Sequence, residues 1–244
     1  SVEELRRRLV EDLSDTIEGE LRVDPAAVAV FSSDASLYEI EPIAVVFPRQ
    51  ARDVEVIAAY SADNNIPLIA RGAGSGLAGG AIGRGIVIDF SRHMNRVLWV
   101  DGDRVRVQPG VVREQLNREL RKHGRYFAPD PSNSRITTIG GMLGVDAAGS
   151  HAVRYGSTRD HVESIECVLS GGQRIELGRE PLQLDPSAYP RMVDLEPVGG
   201  IAGGGTSVGA TVSTAVRSDA LKLSALTSAT RRADLIQRVG SLLQ

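Results

Sequence analysis

The run Arg71-Gly72-Ala73-Gly74-Ser75-Gly76-Leu77-Ala78-Gly79-Gly80 directly follows an apolar segment that reads as a strand. Closely spaced glycines let consecutive backbone N–H groups point into one concavity, where phosphate oxygens can accept them. The net charge of −3 gives no general attraction to nucleic acid or anionic membranes, so any phosphate must be gripped locally. Gly74, Gly76 and Gly79 formally match the dinucleotide-binding spacing. That fold needs a helix opening at the third glycine. Only Gly80 to Gly85 separate it from the next apolar run, so a crossover helix does not fit. The loop either holds an anion by its amides between two strands or is a turn that lets two strands pack closely. Glycine spacing alone leaves both open.

Other chemistry is sparse. Cys167 is the one cysteine and lies in the apolar run Ile165 to Leu169, so there is neither a disulfide framework nor a cysteine-ligated cluster. Four histidines without ligand spacing argue against a metal site. His151 and His161 could move protons but are better read as hydrogen-bonded structural residues. Asp160 reads as a turn residue, and Asp130, between Pro129 and Pro131, as rigidly held. Arg154 and Arg159 could face a carboxylate bidentately; solvated surface is the preferred reading for each. Arg71 could brace a diphosphate or orient an acidic substrate, and this is favoured over a strand-end arginine paired with a carboxylate.

The elements around these residues can be read from periodicity. Ser1 to Leu13 carries Leu5, Leu9 and Leu13 among alternating charges, the mark of an amphipathic helix and not of a leader peptide. Asp24 to Glu41 is mixed and turn-rich. Ile43–Phe47, a helix over Asp53–Asn64 and Ile66–Ala70 make a strand–helix–strand unit that favours a parallel pair. Ile86–Phe90 is the next strand. Val97–Val107 reads as a hairpin, Val111–His123 as a helix closed by Gly124, and Ile165–Leu177 as a hairpin turning at Gly171-Gly172. Residues 199–228 are rich in glycine, serine, threonine and alanine and read as a connector. No run is long enough to span a bilayer, and a cytoplasmic protein is expected. The chain reads as cut at both ends: it opens on serine, and the helical pattern of 231–244 has no stop signal.

Four motifs in register carry a resemblance. Taken with the Arg71 loop, Ala128-Pro-Asp-Pro-Ser-Asn-Ser134, Thr138-Ile-Gly-Gly-Met142, Ala147-Ala-Gly-Ser150 and Arg154-Tyr-Gly-Ser157 resemble the FAD-binding domain of the vanillyl-alcohol oxidase / p-cresol methylhydroxylase superfamily. The glycolate oxidase and D-lactate dehydrogenase branch is the most similar. The resemblance implies an α+β fold of two subdomains, a small strand–helix–strand lobe and a larger mixed lobe, with FAD between them. The resemblance covers 32–184 as a FAD-binding domain (lobes 32–90 and 91–184), and with the elements read above the chain divides further into a helical segment (1–31), a connector (185–229) and the start of a further helix (230–244). The resemblance implies that Arg71, Gly72, Ala73, Gly74, Ser75 and Gly76 wrap the diphosphate. Asp130, Thr138, Gly140, Gly141, Gly149, Tyr155 and Gly156 then line the other side, with Ile165 at the adenine end.

Two departures stand out. Some relatives tether flavin covalently through a histidine in the first loop; here Ser75 takes that place, and noncovalent FAD is expected. Val145-Asp146 stands where asparagine is common, and a carboxylate beside flavin would disfavour its anionic reduced form. The implied activity is oxidation of a 2-hydroxy acid (glycolate, D-lactate or 2-hydroxyglutarate class) by hydride transfer to flavin N5, with electrons leaving to an iron–sulfur protein or a quinone. By the resemblance the catalytic base lies in a cap domain outside this chain, and the enzyme could associate with the membrane periphery through partners. A non-catalytic FAD-binding relay module, and a reductase of an enolpyruvyl sugar nucleotide in the same fold, are the alternatives.

Overall fold

The computed structural model describes residues 1–178, so the final residues of the expected second lobe (179–184), the connector (185–229) and the further helix (230–244) lie outside the described residues. Helix α1 (Val2–Leu13) is capped by the Ser1 hydroxyl, which accepts from the Glu4 amide. It is followed by strand β1 (Glu20–Arg22), helix α2 (Pro25–Phe31), strand β2 (Ala44–Phe47), helix α3 (Ala51–Asp63), strand β3 (Leu68–Arg71) and strand β4 (Ile86–Asp89). α2 was missed in the turn-rich reading of 24–41. Its signals were local: Asp24 caps it by accepting from the Ala27 amide, and Pro25 stands at its first position.

The four strands form one sheet in the order β1-β2-β4-β3, with β1 antiparallel and the rest parallel. The strands flanking α3 are therefore not neighbours: β4 inserts between them, pairing Val87 with Val45 on one side and Ile69 on the other. Every residue of β2 and β4 is buried, as expected for strands covered on both faces. Leu9 and Leu13 of α1, Ile57 of α3, and Ala44, Val46, Ile86 and Ile88 of the sheet share one core. Segment 1–31 thus packs into the first lobe. Because β3 and β4 are adjacent and parallel, their connection must be a crossover. Residues 72–85 make it without a helix.

The second lobe begins with the hairpin β5 (Val97–Asp101) and β6 (Arg104–Val107), which turns at Gly102. Helix α4 (Arg113–Arg121) buries Leu116 and Leu120 with Val111, Ile139 and Met142 in a second core, and Gly124 beyond it is left-handed (φ 65°). Short helices α5 (Ile139–Gly144) and α6 (Ala152–Tyr155), a 3-10 turn (Thr158–His161) and the hairpin β7 (Ser164–Val168) and β8 (Arg174–Gly178) complete it. Among the described residues the lobe has two separate hairpins rather than one sheet. Among them, too, no helix is long and apolar enough to cross a membrane.

Candidate cofactor site

The loop after β3 is held at its two ends. The Arg71 guanidinium donates to the carbonyls of Ser33 (2.9 Å) and Ala81 (3.1 Å) and lies 5.0 Å from the Phe31 ring centroid. Burial pushes it below the usual arginine range, against the pull of Asp89 and Asp34. The Gly74 carbonyl accepts from the Ala35 amide at 2.9 Å, and Gly74 is left-handed (φ 64°). Between these anchors the amides of residues 72–80 donate to no acceptor among the described residues. Unpaired backbone donors in a folded loop need water or a ligand. Beside Gly76 and Gly80 a methyl group would meet open space.

The other wall is built from the second lobe and meets the loop directly. A Cβ on Gly72 would lie 2.1 Å from Thr138 Oγ1 and 3.6 Å from the Gly141 Cα. Thr138, 1% exposed, caps α5 by accepting from the Gly141 amide at 3.2 Å. The Gly140 amide is also taken, by the Pro109 carbonyl at 2.8 Å. Gly140 and Gly141 therefore supply close backbone approach rather than free donors. α5 was missed because glycines at its start hide a helical period; the Thr138 cap was its signal.

A second cluster ties Asp130 to the turn at Gly149. Asp130 N–H donates to the Ala148 carbonyl at 2.9 Å, and its carboxylate accepts from Ser150 Oγ (3.2 Å), the His151 amide (3.3 Å) and His151 Nδ1. The His151 hydrogen bond holds the Asp130 carboxyl below the usual range. Any side chain on Gly149, whose φ is 130°, would collide with Asp130. Tyr155, at the end of α6, packs edge-to-face with Tyr126 at 6.3 Å and has the Arg154 guanidinium 5.3 Å from its ring centroid. The neighbouring Tyr155 raises the Tyr126 hydroxyl. Gly156 is left-handed (φ 79°) and donates to the Ala152 carbonyl. Ile165 pairs with Leu177 in the β7–β8 hairpin and joins none of these clusters. That hairpin's turn packs on the first lobe, where a Cβ on Gly172 would meet the Glu55 carbonyl at 2.5 Å.

The flagged departure at Asp146 has a local cause. Its φ of 48° is the left-handed conformation that asparagine and aspartate tolerate best. Burial would raise its carboxyl, but the Arg159 amide, the Ser157 hydroxyl and the Arg159 guanidinium outweigh that and lower it. Its charge is thus matched by Arg159. His161 bonds the Tyr155 carbonyl at 2.8 Å, and Asp160 completes a capping box with Ser157. Among the described residues no histidine, cysteine and carboxylate group could hold a metal ion.

A crossover loop of unpaired amides, pressed against a glycine-bearing second lobe, presents the backbone donors that a diphosphate-containing cofactor would need. The fit is physical: the donors are free, the loop has room at Gly76 and Gly80, and the two backbones approach as glycine alone allows. The FAD binding domain family matches residues 42–178, and the chain belongs to it; its cofactor is FAD. The chain is 42% identical to D-2-hydroxyglutarate dehydrogenase of Pseudomonas putida over 64% of its length and 16% of the relative's. It is 36% identical to glycolate oxidase subunit GlcD of Bacillus subtilis over 66% of its length and 35% of the relative's. Among solved structures it resembles an alkyldihydroxyacetonephosphate synthase (TM-score 0.63, 28% identity, 70% of this chain and 38% of that one). It also resembles 6-hydroxy-D-nicotine oxidase of Arthrobacter nicotinovorans (TM-score 0.59, 25% identity, 67% and 36%). The resemblance read from the four motifs, and the α+β fold it implied, are borne out. The chain spans only 16% of the length of the dehydrogenases it matches.

Proposed function

We propose that this chain is the cofactor-holding part of a flavin-dependent dehydrogenase of 2-hydroxy acids. The unpaired amides of 72–80 carry the reading, because they are the donors a diphosphate needs. Gly72 to Gly76 grip the diphosphate, and Thr138, Gly140 and Gly141 close the slot from the other side. Asp130, Gly149, Tyr155 and Gly156 shape the wall beyond, Ile165 stands at the adenine end, and Arg71 keeps the loop in place. FAD sits noncovalently, since Ser75 supplies no tethering nitrogen. Bound FAD supplies a hydride acceptor at N5. Oxidation removes a hydride from the substrate C2 and a proton from its hydroxyl, leaving a 2-oxo acid.

The relatives' names support glycolate, D-lactate or 2-hydroxyglutarate as the substrate class. His151 and His161 are committed to Asp130 and to the Tyr155 carbonyl, so the proton acceptor is assigned outside the described residues. Electrons pass on to an iron–sulfur protein or a quinone, and the enzyme works in the cytoplasm or at the membrane periphery through such partners. The test is an anaerobic titration of the purified full-length protein, recording its visible spectrum as each hydroxy acid is added. Bleaching by one of them supports the reading. A yellow protein that none of them bleaches points to an electron-relay module, and a colourless one that fails to quench added FAD removes the cofactor site itself.

A further inference from the structure

Helix α4 places Arg113 and Asn117 one turn apart, and Asn117 is buried beside Leu116 and Leu120. Buried polar groups persist when hydrogen bonds replace the lost water. Asn117 is 4% exposed. Its Oδ1 accepts from the Phe127 amide at 2.6 Å, and its Nδ2 donates to the Phe127 carbonyl at 3.1 Å. One side chain thus satisfies both backbone groups of one residue, as a neighbouring strand would. Arg113 adds bonds from Nη2 to the carbonyls of Phe127 (3.3 Å) and Ala128 (3.4 Å). The segment so fastened runs through Pro129 into Asp130, which binds Ala148 and His151. The start of α4 also holds the other limb of this loop, through Arg113 N–H to the Thr137 carbonyl (2.9 Å) and Glu114 N–H to the Ser134 carbonyl (3.2 Å).

We infer that Asn117, assisted by Arg113, is a positioning residue for FAD: it fixes the Phe127–Asp130 segment and so sets where the Asp130–Gly149 wall stands. The inference rests on the reading that this wall lines the cofactor. The second core has no other use for an amide at this position. A leucine would fill the space but leave the Phe127 N–H without a partner and its carbonyl with Arg113 alone.

The test compares the full chain carrying Asn117→Leu or Asn117→Asp with Val105→Ala, a control that trims the same core away from this segment. FAD affinity is read by quenching of flavin fluorescence, and flavin geometry by visible circular dichroism, at a temperature where each apoprotein is folded. Asn117→Leu is expected to weaken FAD binding about tenfold more than the control and to change the dichroism, the loss of a paired buried group being of that order. Asn117→Asp keeps the acceptor, loses the donor and falls between; it carries the test if the leucine variant does not fold. A loss less than about threefold beyond the control, or unaltered dichroism, overturns the inference. A wild-type chain that binds no FAD would instead overturn the cofactor reading on which it rests.

Discussion

Gly72 and Thr138 meet so closely that a methyl group on Gly72 would stand 2.1 Å from Thr138 Oγ1. Thr138 cannot swing aside, because it is β-branched, 1% exposed and occupied in capping α5. Gly72→Ala should therefore cost about 1–3 kcal/mol of stability by overpacking and push the loop off the second lobe. FAD affinity should fall with it. Thr138→Ala alone removes the cap, at about 1 kcal/mol. In the double variant the clashing oxygen is gone, so the two losses should sum to more than the measured one. Denaturant melts and FAD titrations of the four proteins check this. An alanine at 72 with wild-type stability and affinity would show that the two stretches do not meet.

Asp130 makes a pH-dependent tie. Its carboxyl is held below the ordinary 3.8, chiefly by His151, so the folded state favours the charged form. The tie is complete above 3.8 and is lost as pH falls through the depressed value. Wild type should be more stable, and hold FAD better, than Asp130→Asn from about pH 7 down to pH 5, with the gap closing only as pH falls below 3.8 through the depressed value. Thermal melts across that range read the gap directly. A gap that is constant to the lowest pH would mean that the carboxylate's charge is irrelevant.

Much of this arrangement is legible in the amino-acid sequence, and the pattern of what is not is physical. Strands such as Ala44–Phe47 announce themselves because both faces are buried, and the hairpin at Asp101-Gly102-Asp103 by its turn residues. Strand order was hidden: adjacency of β3 and β4 depends on which parallel strand inserts where, and no local residue encodes that. The site glycines were legible as glycines, but their roles differ in ways spacing cannot reveal. The amides of Gly140 and Gly141 are spent within the protein, and those of 72–80 are not. Asn117 escaped notice although its spacing with Leu116, Leu120 and Arg113 put it on the inward face of α4, which was the available signal.

Arg71 offers a way to separate two roles. Read from sequence, it could touch the cofactor; in the fold its guanidinium spans two carbonyls, Ser33 and Ala81, that close the loop. Both bonds leave from Nη1, held in place by the planar guanidinium against the Phe31 ring; the flexible, strongly hydrated ammonium of a lysine lacks that fixed geometry. Arg71→Lys should thus destabilise the apoprotein by about 1.5–3 kcal/mol, the range for charge-assisted hydrogen bonds, and weaken FAD binding through the loosened loop. Melting without FAD is the deciding measurement. If apoprotein stability is untouched while affinity drops, Arg71 serves the cofactor directly and not the loop.

The loop's side chains also fix how FAD is retained. From Gly72 to Gly85 there is no histidine, cysteine or tyrosine, the nucleophiles that could bond to a flavin ring, and Ser75 carries only a hydroxyl. Retention must then come from hydrogen bonds to free amides and from packing, both of which vanish when the chain unfolds. Heating or acid precipitation of the yellow protein should leave a colourless pellet and all of the flavin in the supernatant. Removal should be reversible, with refolded apoprotein recovering its absorbance when FAD is added back. Flavin fluorescence that stays with the denatured band on a gel would contradict this and direct attention to a tethering side chain outside the loop.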